Sequence, residues 1–297
     1  MSAIIECVPN ISEGRDRAVI ERVVDAVRET PGCRLIHYTS DADHNRTVVT
    51  FLGKPDEVAT AAAALAKRAA ECIDLTGHTG VHPRMGAVDV VPFIPLRAVS
   101  LADCVALSKQ VGARIWNQAG VPVFLYGCSA TASHRENLAD IRRGGFEGMR
   151  EKTASPEWKP DFGKGVHPTA GVTACGARGL LVAFNVNLNT ADVGVARAIA
   201  GTIRQSAVGG LPCVKALGLM MDSRGMAQVS FNMTDTEKTP LWCAVEAVKN
   251  GAKRYGFGVS GTEIVGMVSR RALDSCAGYD LMLEGFDEEK QVLENYF

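Results

Sequence analysis

His82 is the residue whose neighbours in the sequence most invite chemistry. It opens the run His82-Pro83-Arg84-Met85-Gly86-Ala87-Val88-Asp89-Val90-Val91-Pro92. Pro83 restricts the residue before it to extended backbone, and Gly77 and Gly80 loosen the approach from the other side, so His82 belongs on a loop. The apolar stretch from Ala87 to Val91 reads as a buried strand that anchors this loop directly after the imidazole. An imidazole titrates near neutrality, and on a rigidly held loop it can both take and give a proton, which is general acid–base chemistry. His78, four residues earlier, imitates the spacing of a helical metal pair. The glycines and Pro83 exclude the helix such a pair needs, and no Glu follows His78, so no metal is expected here.

A second candidate is the loop Gly163-Lys164-Gly165-Val166-His167-Pro168-Thr169-Ala170-Gly171, with three glycines and another His-Pro pair. It lies in a segment from Gly144 to Gly179 that is rich in Gly and Pro and poor in periodicity, which reads as a functional loop or a flexible linker. Glycines let backbone approach a ligand closely. The chain has no Gly-x-x-x-x-Gly-Lys-Ser/Thr, and no clear strand leads into the Gly163 loop, which argues against a nucleotide phosphate site.

The elements that must position these loops repeat. In the first half, Ala3 to Val8 reads as a strand and Asp16 to Arg28 as a helix, with Val19, Ile20, Val23, Val24 and Val27 at helical spacing. Strands from Cys33 to His37 and from Arg46 to Leu52 follow, then an alanine-rich helix from about Asp56 to Glu71, the histidine loop and the strand through Val90. The second half repeats that order. It has a strand from Leu180 to Val186, a helix from Asp192 to Arg204, and strands from Cys213 to Met220 and from Ala227 to Met233. A helix opened by Thr239-Pro240 runs to Lys253, and a last strand spans Glu263 to Val268. Asn10 and Asn187 end the first strand of their halves. Ser100-x-x-Asp103 opens an extra helix around Leu101 to Trp116. The expected fold is α/β (α+β) with two similar β-α-β-β-α-β subdomains of ferredoxin-like type, residues 1–178 and 179–297, and a ligand cleft between them.

Composition narrows the function classes. The chain has 297 residues, 46% of them hydrophobic, and a formal charge of −1. That balance gives no electrostatic reason to expect nucleic acid or an anionic membrane as partner. The nine cysteines are odd in number, scattered and free of Cys-x-x-Cys, and most sit in apolar runs, so they read as small core residues in a reducing compartment. With no basic segment before an apolar stretch at the start and no window long enough to span a bilayer, a cytoplasmic protein is expected.

Longer motifs carry a resemblance. Glu6-Cys7-Val8-Pro9-Asn10-Ile11-Ser12-Glu13-Gly14, Asn45-Arg46-Thr47-Val48, His82-Pro83-Arg84-Met85-Gly86-Ala87 and Ala183-Phe184-Asn185-Val186-Asn187-Leu188 resemble the glutamate formiminotransferase family. The likeness extends through Pro160-Asp161-Phe162-Gly163 and Ala227-Gln228-Val229-Ser230 to about Ala272. In animals the family is fused to a cyclodeaminase, for which this chain is too short, so it looks like the stand-alone bacterial form.

The resemblance implies transfer of a formimino group from N-formimino-L-glutamate to tetrahydrofolate as co-substrate, in histidine degradation, by a homodimer whose similar subdomains hold folate between them. The family's catalytic histidine falls on His82. Its folate-binding stretches fall on Gly163-Lys164-Gly165-Val166-His167-Pro168-Thr169-Ala170-Gly171-Val172 and on Val214-Lys215-Ala216-Leu217-Gly218-Leu219-Met220-Met221-Asp222. Because both substrates carry carboxylates, Arg46, Arg84 and Lys215 are candidate anchors. Asn10, Asn45 and Asn187 complete the substrate-binding candidates with Asp41 and Asp43. The animal enzymes carry an acidic residue near the end of the second strand, where this chain has Tyr38-Thr39-Ser40 and then Asp41 and Asp43. Those two are the candidates for orienting His82. His44 replaces a small residue of the animal form and reads as a loop residue, and His167-Pro168 also departs from the animal sequence. Three rival readings remain: ATP-dependent cyclisation of 5-formyltetrahydrofolate, a folate-binding protein without catalysis, and a purely structural two-domain scaffold, which would leave the His82 and Gly163 loops without a cleft between them.

Overall fold

Residues 2–297 are described by a computed structural model, and the chain divides into two units, residues 1–179 and 180–297. In the first unit the opening strand is broken at Val8-Pro9, where proline cannot donate to the ladder, into β1 (Ile4–Cys7) and β2 (Asn10–Ile11). Asp16 caps α1 (Arg17–Arg28) by accepting the backbone N–H groups of Ala18 and Val19. A hairpin of β3 (Arg34–Asp41) and β4 (Arg46–Gly53) leads to α2 (Pro55–Cys72), which has proline in its first turn. Strand β5 (Val88–Arg97) completes the β-α-β-β-α-β set. Then come α3 (Leu101–Ala119), opened by the reciprocal Ser100–Asp103 box, β6 (Val123–Gly127), α4 (Leu138–Arg142), α5 (Gly145–Ala154) and β7 (Thr173–Ala177).

The sheet of this unit runs β3-β4-β1/β2-β5-β7-β6, antiparallel as far as β5 and parallel beyond it. Ile20, Val23, Val24 and Val27 of α1, the alanine face of α2, and Val111 and Ile115 of α3 form one core with Val49, Phe51, Val91 and Phe93 of the strands. The alternate residues Val90, Phe124, Tyr126 and Ala174 join Met85, Ile141 and Met149 in a smaller core on the other face. The parallel part of the sheet is therefore buried on both sides, as parallel sheets generally are. Each fully buried Phe or Ile side chain contributes about 1.5–3 kcal/mol to these cores.

The second unit has β8 (Val182–Leu188), α6 (Val193–Ile203) capped by Asp192, β9 (Val214–Met221), β10 (Met226–Met233), α7 (Leu241–Lys253) and β11 (Val259–Val265). Its four strands run β11-β8-β10-β9, all antiparallel. That is the fourth-first-third-second order that β5, β1/β2, β4 and β3 follow in the first unit, so both are ferredoxin-like. Phe184, Val186, Val229, Phe231 and Ile264 face the core shared with α6 and α7. Their neighbours in the strands, Asn185, Asn187 and Gln228, are buried polar residues.

Three expectations are corrected. The segment from Gly144 to Gly179 is not structureless: it holds α5, a 3₁₀ turn at Pro156–Trp158 and β7. The last strand lies earlier than Glu263 to Val268, and Pro240 is the residue before α7 rather than its first, while the Thr239 hydroxyl donates to Pro212 O at 2.6 Å. Among the described residues no helix is long and apolar enough to cross a membrane.

Candidate active site

Three loops of the first unit converge on His82. The β3–β4 hairpin closes through Ala42-Asp43-His44-Asn45, and Asp41 builds that turn by accepting the His44 backbone N–H on Oδ1 at 2.7 Å. Asn45 sits in the left-handed region at φ 49°, which asparagine tolerates better than most residues. The loop that carries His82 leaves a 3₁₀ turn at Leu75–Gly77 and runs across the hairpin tip. Val81 N–H donates to Asp43 O at 3.0 Å and Asn45 Nδ2 to Thr79 O at 2.9 Å. The segment after β2 closes the third side: Gly14 N–H donates to Asn45 Oδ1 at 2.9 Å, and Ser12 Oγ to Gly86 O at 2.8 Å.

The stretch from Gly163 to Val172 docks on this assembly as an ordered turn. His167 Nδ1 accepts the Ala170 N–H at 3.0 Å, and the backbones of His167 and Gly171 exchange two hydrogen bonds. Leu75 N–H donates to Thr169 O at 2.9 Å, Ala87 N–H to Ala170 O at 2.9 Å and Val172 N–H to Met85 O at 3.0 Å. Gly171 has φ +69°, and a Cβ there would stand 2.1 Å from Met85 O, so only glycine fits where this turn meets the His82 loop.

His82 is partly exposed. Burial of its ring pushes its pKa well below the ordinary histidine value, and the positive charges of Arg46, Arg142 and His44 push the same way, against a hydrogen bond with the Pro83 backbone. Arg142 is held by Asp89, whose Oδ2 accepts Arg142 Nε at 2.7 Å while its Oδ1 accepts the Met85 N–H at 2.8 Å. Asp89 thereby fixes both the loop and a cation beside it.

Arg84 is engaged within the protein. Its Nη1 and Nη2 donate to Glu147 at 3.0 and 2.6 Å, and its Nε donates to His78 Nδ1 at 3.0 Å. His78 accepts at Nδ1, so its proton sits on Nε2, 3.1 Å from Asn45 O. Burial lowers the His78 pKa. Both ring nitrogens of His78 are thus committed to loop structure.

The structure brings His82, Asp41, Asp43, Asn45, Arg46 and Arg84 together with the stretch from Gly163 to Val172 in the first unit. Asn10 stays in β2, its Nδ2 donating to Val8 O at 3.3 Å. Asn187 and the stretch from Val214 to Asp222, which is β9 and the start of a 3₁₀ turn, belong to the second unit. In β9 the side chains of Val214, Ala216 and Met221 are buried, whereas Lys215 and Leu217 are exposed. Asn187 is fully buried, with Oδ1 accepting Gln228 Nε2 at 2.9 Å and Nδ2 donating to Glu284 Oε2 at 3.2 Å.

Sequence reasoning missed Asp89, Arg142 and Glu147, and undervalued His44. Nothing local marks Arg142 or Glu147. The signal for Asp89 was available, since a lone acid inside the apolar run Ala87 to Val91 must be paired to be buried. His44 is in the turn, as expected of a loop residue, but it is only 3% exposed.

The family models for the formiminotransferase domain match this chain over residues 4–178 for the N-terminal subdomain and over residues 183–294 for the remainder. The chain belongs to the formiminotransferase family. A relative named glutamate formimidoyltransferase, from Streptococcus pyogenes serotype M1, is 49% identical over 297 residues, covering 100% of this chain and 99% of its own. One of the same name from Thermoplasma acidophilum is 42% identical over 288 residues, 96% of this chain and 95% of that one. The formimidoyltransferase-cyclodeaminase of Sus scrofa is 41% identical over 285 residues, 94% of this chain but 52% of its own length. The formiminotransferase match thus spans both ferredoxin-like units.

Proposed function

We propose that this chain is a glutamate formimidoyltransferase that moves the formimino group of N-formimino-L-glutamate to N5 of tetrahydrofolate, with His82 as its acid–base group. The transferase class rests on the full-length likeness to enzymes of that name. The observation that carries the role of His82 is electrostatic. Burial, with the neighbouring guanidinium groups of Arg46 and Arg142, disfavours its protonated form, so it meets substrate as a free base at neutral pH.

The chemistry follows from that state. N5 attacks the formimino carbon, and a tetrahedral intermediate forms with a proton on N5. His82 removes that proton, then delivers it to the glutamate nitrogen as the bond from carbon to that nitrogen breaks, releasing the amine. An imidazolium held in a site that disfavours it is a strong donor, which suits the second half of the step. Holding two substrates in line supplies much of the remaining acceleration. Arg46 beside His82 and the exposed Lys215 on β9 are the cations assigned to substrate carboxylates. Arg84 is read as a strut of the loop, because Glu147 and His78 already occupy its guanidinium. Folate is read against the turn from Gly163 to Val172 and the outward residues of β9. The same reading places the enzyme in the cytoplasm, in histidine degradation and one-carbon metabolism, as a homodimer.

The test is release of free glutamate from N-formimino-L-glutamate and tetrahydrofolate without ATP. Stoichiometric release is the expected result. No release, with 5-formyltetrahydrofolate consumed only when ATP is present, would overturn the reading in favour of cyclisation.

A further inference from the structure

His44 is buried at the hairpin tip, and its ring centroid lies 6.0 Å from that of His82, the two planes tilted by 48°. Asp41 holds it in two ways. Oδ1 accepts the His44 backbone N–H at 2.7 Å, and His44 Nδ1 stands 3.0 Å from the same oxygen, within ion-pair range but off the line of a good hydrogen bond. We propose that His44, clamped by Asp41, is a positioning residue for His82, and that Asp41 acts on the acid–base step through His44 rather than by contact with the His82 ring.

The argument starts from what each carboxylate touches. Asp89 on β5 is bonded to Arg142 of α4 and to the Met85 N–H, and Glu147 of α5 to Arg84. Asp41 is bonded to His44. Burial works against ionisation of Asp41, but the ring and backbone N–H of His44 outweigh it and hold the carboxyl below its ordinary value. The groups whose charges bear on His82 are Arg46 of β4, Arg142 of α4 and His44 of the hairpin tip, while His78 and Arg84, on the same loop as His82, are bonded to each other. His44 is the titratable one among the first three whose ring meets that of His82. Positive charge on the His44 ring opposes protonation of His82 through space, and a seated ring limits how far His82 can turn while it serves two nitrogens on one carbon.

This inference rests on His82 being the acid–base group, so its test includes a readout that needs no turnover. His44→Gln keeps a polar side chain that reaches Asp41 but removes the ring and any charge on it. The expected result is a kcat about ten-fold lower with KM within two-fold, and an acid limb of the kcat/KM profile moved to higher pH, toward the ordinary histidine value. The sign follows from the role: a base must be unprotonated, so losing a neighbour that opposes its protonation raises the pH at which activity falls. Asp41→Asn is expected to lower kcat by a similar factor, and the His44→Gln/Asp41→Asn double variant to be no slower than His44→Gln. Independently, the His82 ring proton resonance, assigned by its loss in His82→Ala, should titrate at higher pH in His44→Gln. Wild-type kcat and titration in His44→Gln, or fully additive losses in the double variant, would overturn the proposal. A shifted titration with no formimino transfer by any variant would instead sink the functional reading and leave the coupling of the two rings standing.

Discussion

The two units share one strand order and differ in what their loops carry. All six histidines of the chain, at positions 37, 44, 78, 82, 134 and 167, lie in the first unit, and residues 180–297 hold none. The first unit also has three long loops cross-bonded at Asn45, Gly86 and Gly171, where the second has a row of buried side-chain amides in its sheet. In that row Gln228 faces Asn187 and Ser230 faces Asn185 across β10 and β8, and Glu263 faces Asn185 across β11. Amides and a carboxylate in a rigid sheet can recognise a polar ligand, but with no group titrating near neutrality they cannot exchange its protons at that pH. In the proposed function, one architecture used twice divides the work, with proton transfer assigned to the first unit and recognition to the second.

The sharpest way to break that division is His82→Ala. Transfer should fall by at least about 100-fold in kcat, the range expected when a general acid–base group is removed, while affinity for tetrahydrofolate is retained. Near-normal turnover would mean that the proton carrier is elsewhere and that the asymmetry in histidines is incidental. Next in size is a matched pair of glycine substitutions. Gly171→Ala puts a methyl group 2.1 Å from Met85 O and must push the His82 loop, so kcat should drop about ten-fold or more, since small misplacements of a reacting group are costly. Gly218→Ala in β9 puts one 2.2 Å from Arg197 N in α6, and should appear mainly as a lower Tm with kcat little changed among the molecules that fold. Steady-state kinetics and thermal melts on both variants decide it, and equal loss of kcat in the two would erase the distinction.

The sequence made the repeated units legible because their signals are local. Asp16, Asp192 and the Ser100–Asp103 pair are helix caps readable within four residues, and Pro83 alone puts His82 in a loop. Strand β7 was invisible because Thr173-Ala174-Cys175-Gly176-Ala177 has little strand propensity and is held by parallel neighbours on both sides. Helix α5 was hidden by Gly145 and Gly148, and it buries only Met149 and Thr153. The site was half legible for a related reason. His82 announces itself, but the burial of His44 depends on the loop of Thr79 and Val81 bonding across the hairpin tip, and Arg142 reaches Asp89 from 53 residues away. Such neighbours become visible only when the fold closes.

The smallest effect is assigned to the second unit's charge. Lys215 is exposed on β9, opposite Asn232 in the ladder, and in the proposed reading it meets a carboxylate of the substrates. A solvent-exposed ion pair of this kind is worth up to about 1 kcal/mol, so Lys215→Ala should raise KM by about two- to five-fold and leave kcat unchanged. That pattern follows from an interaction made equally in the ground and transition states. Added salt should shrink the difference between wild type and variant, because exposed charges are screened over about 10 Å at 0.1 M ionic strength. A fall in kcat at unchanged KM would place Lys215 in the chemical step and give the second unit a share in catalysis that its lack of histidine argues against.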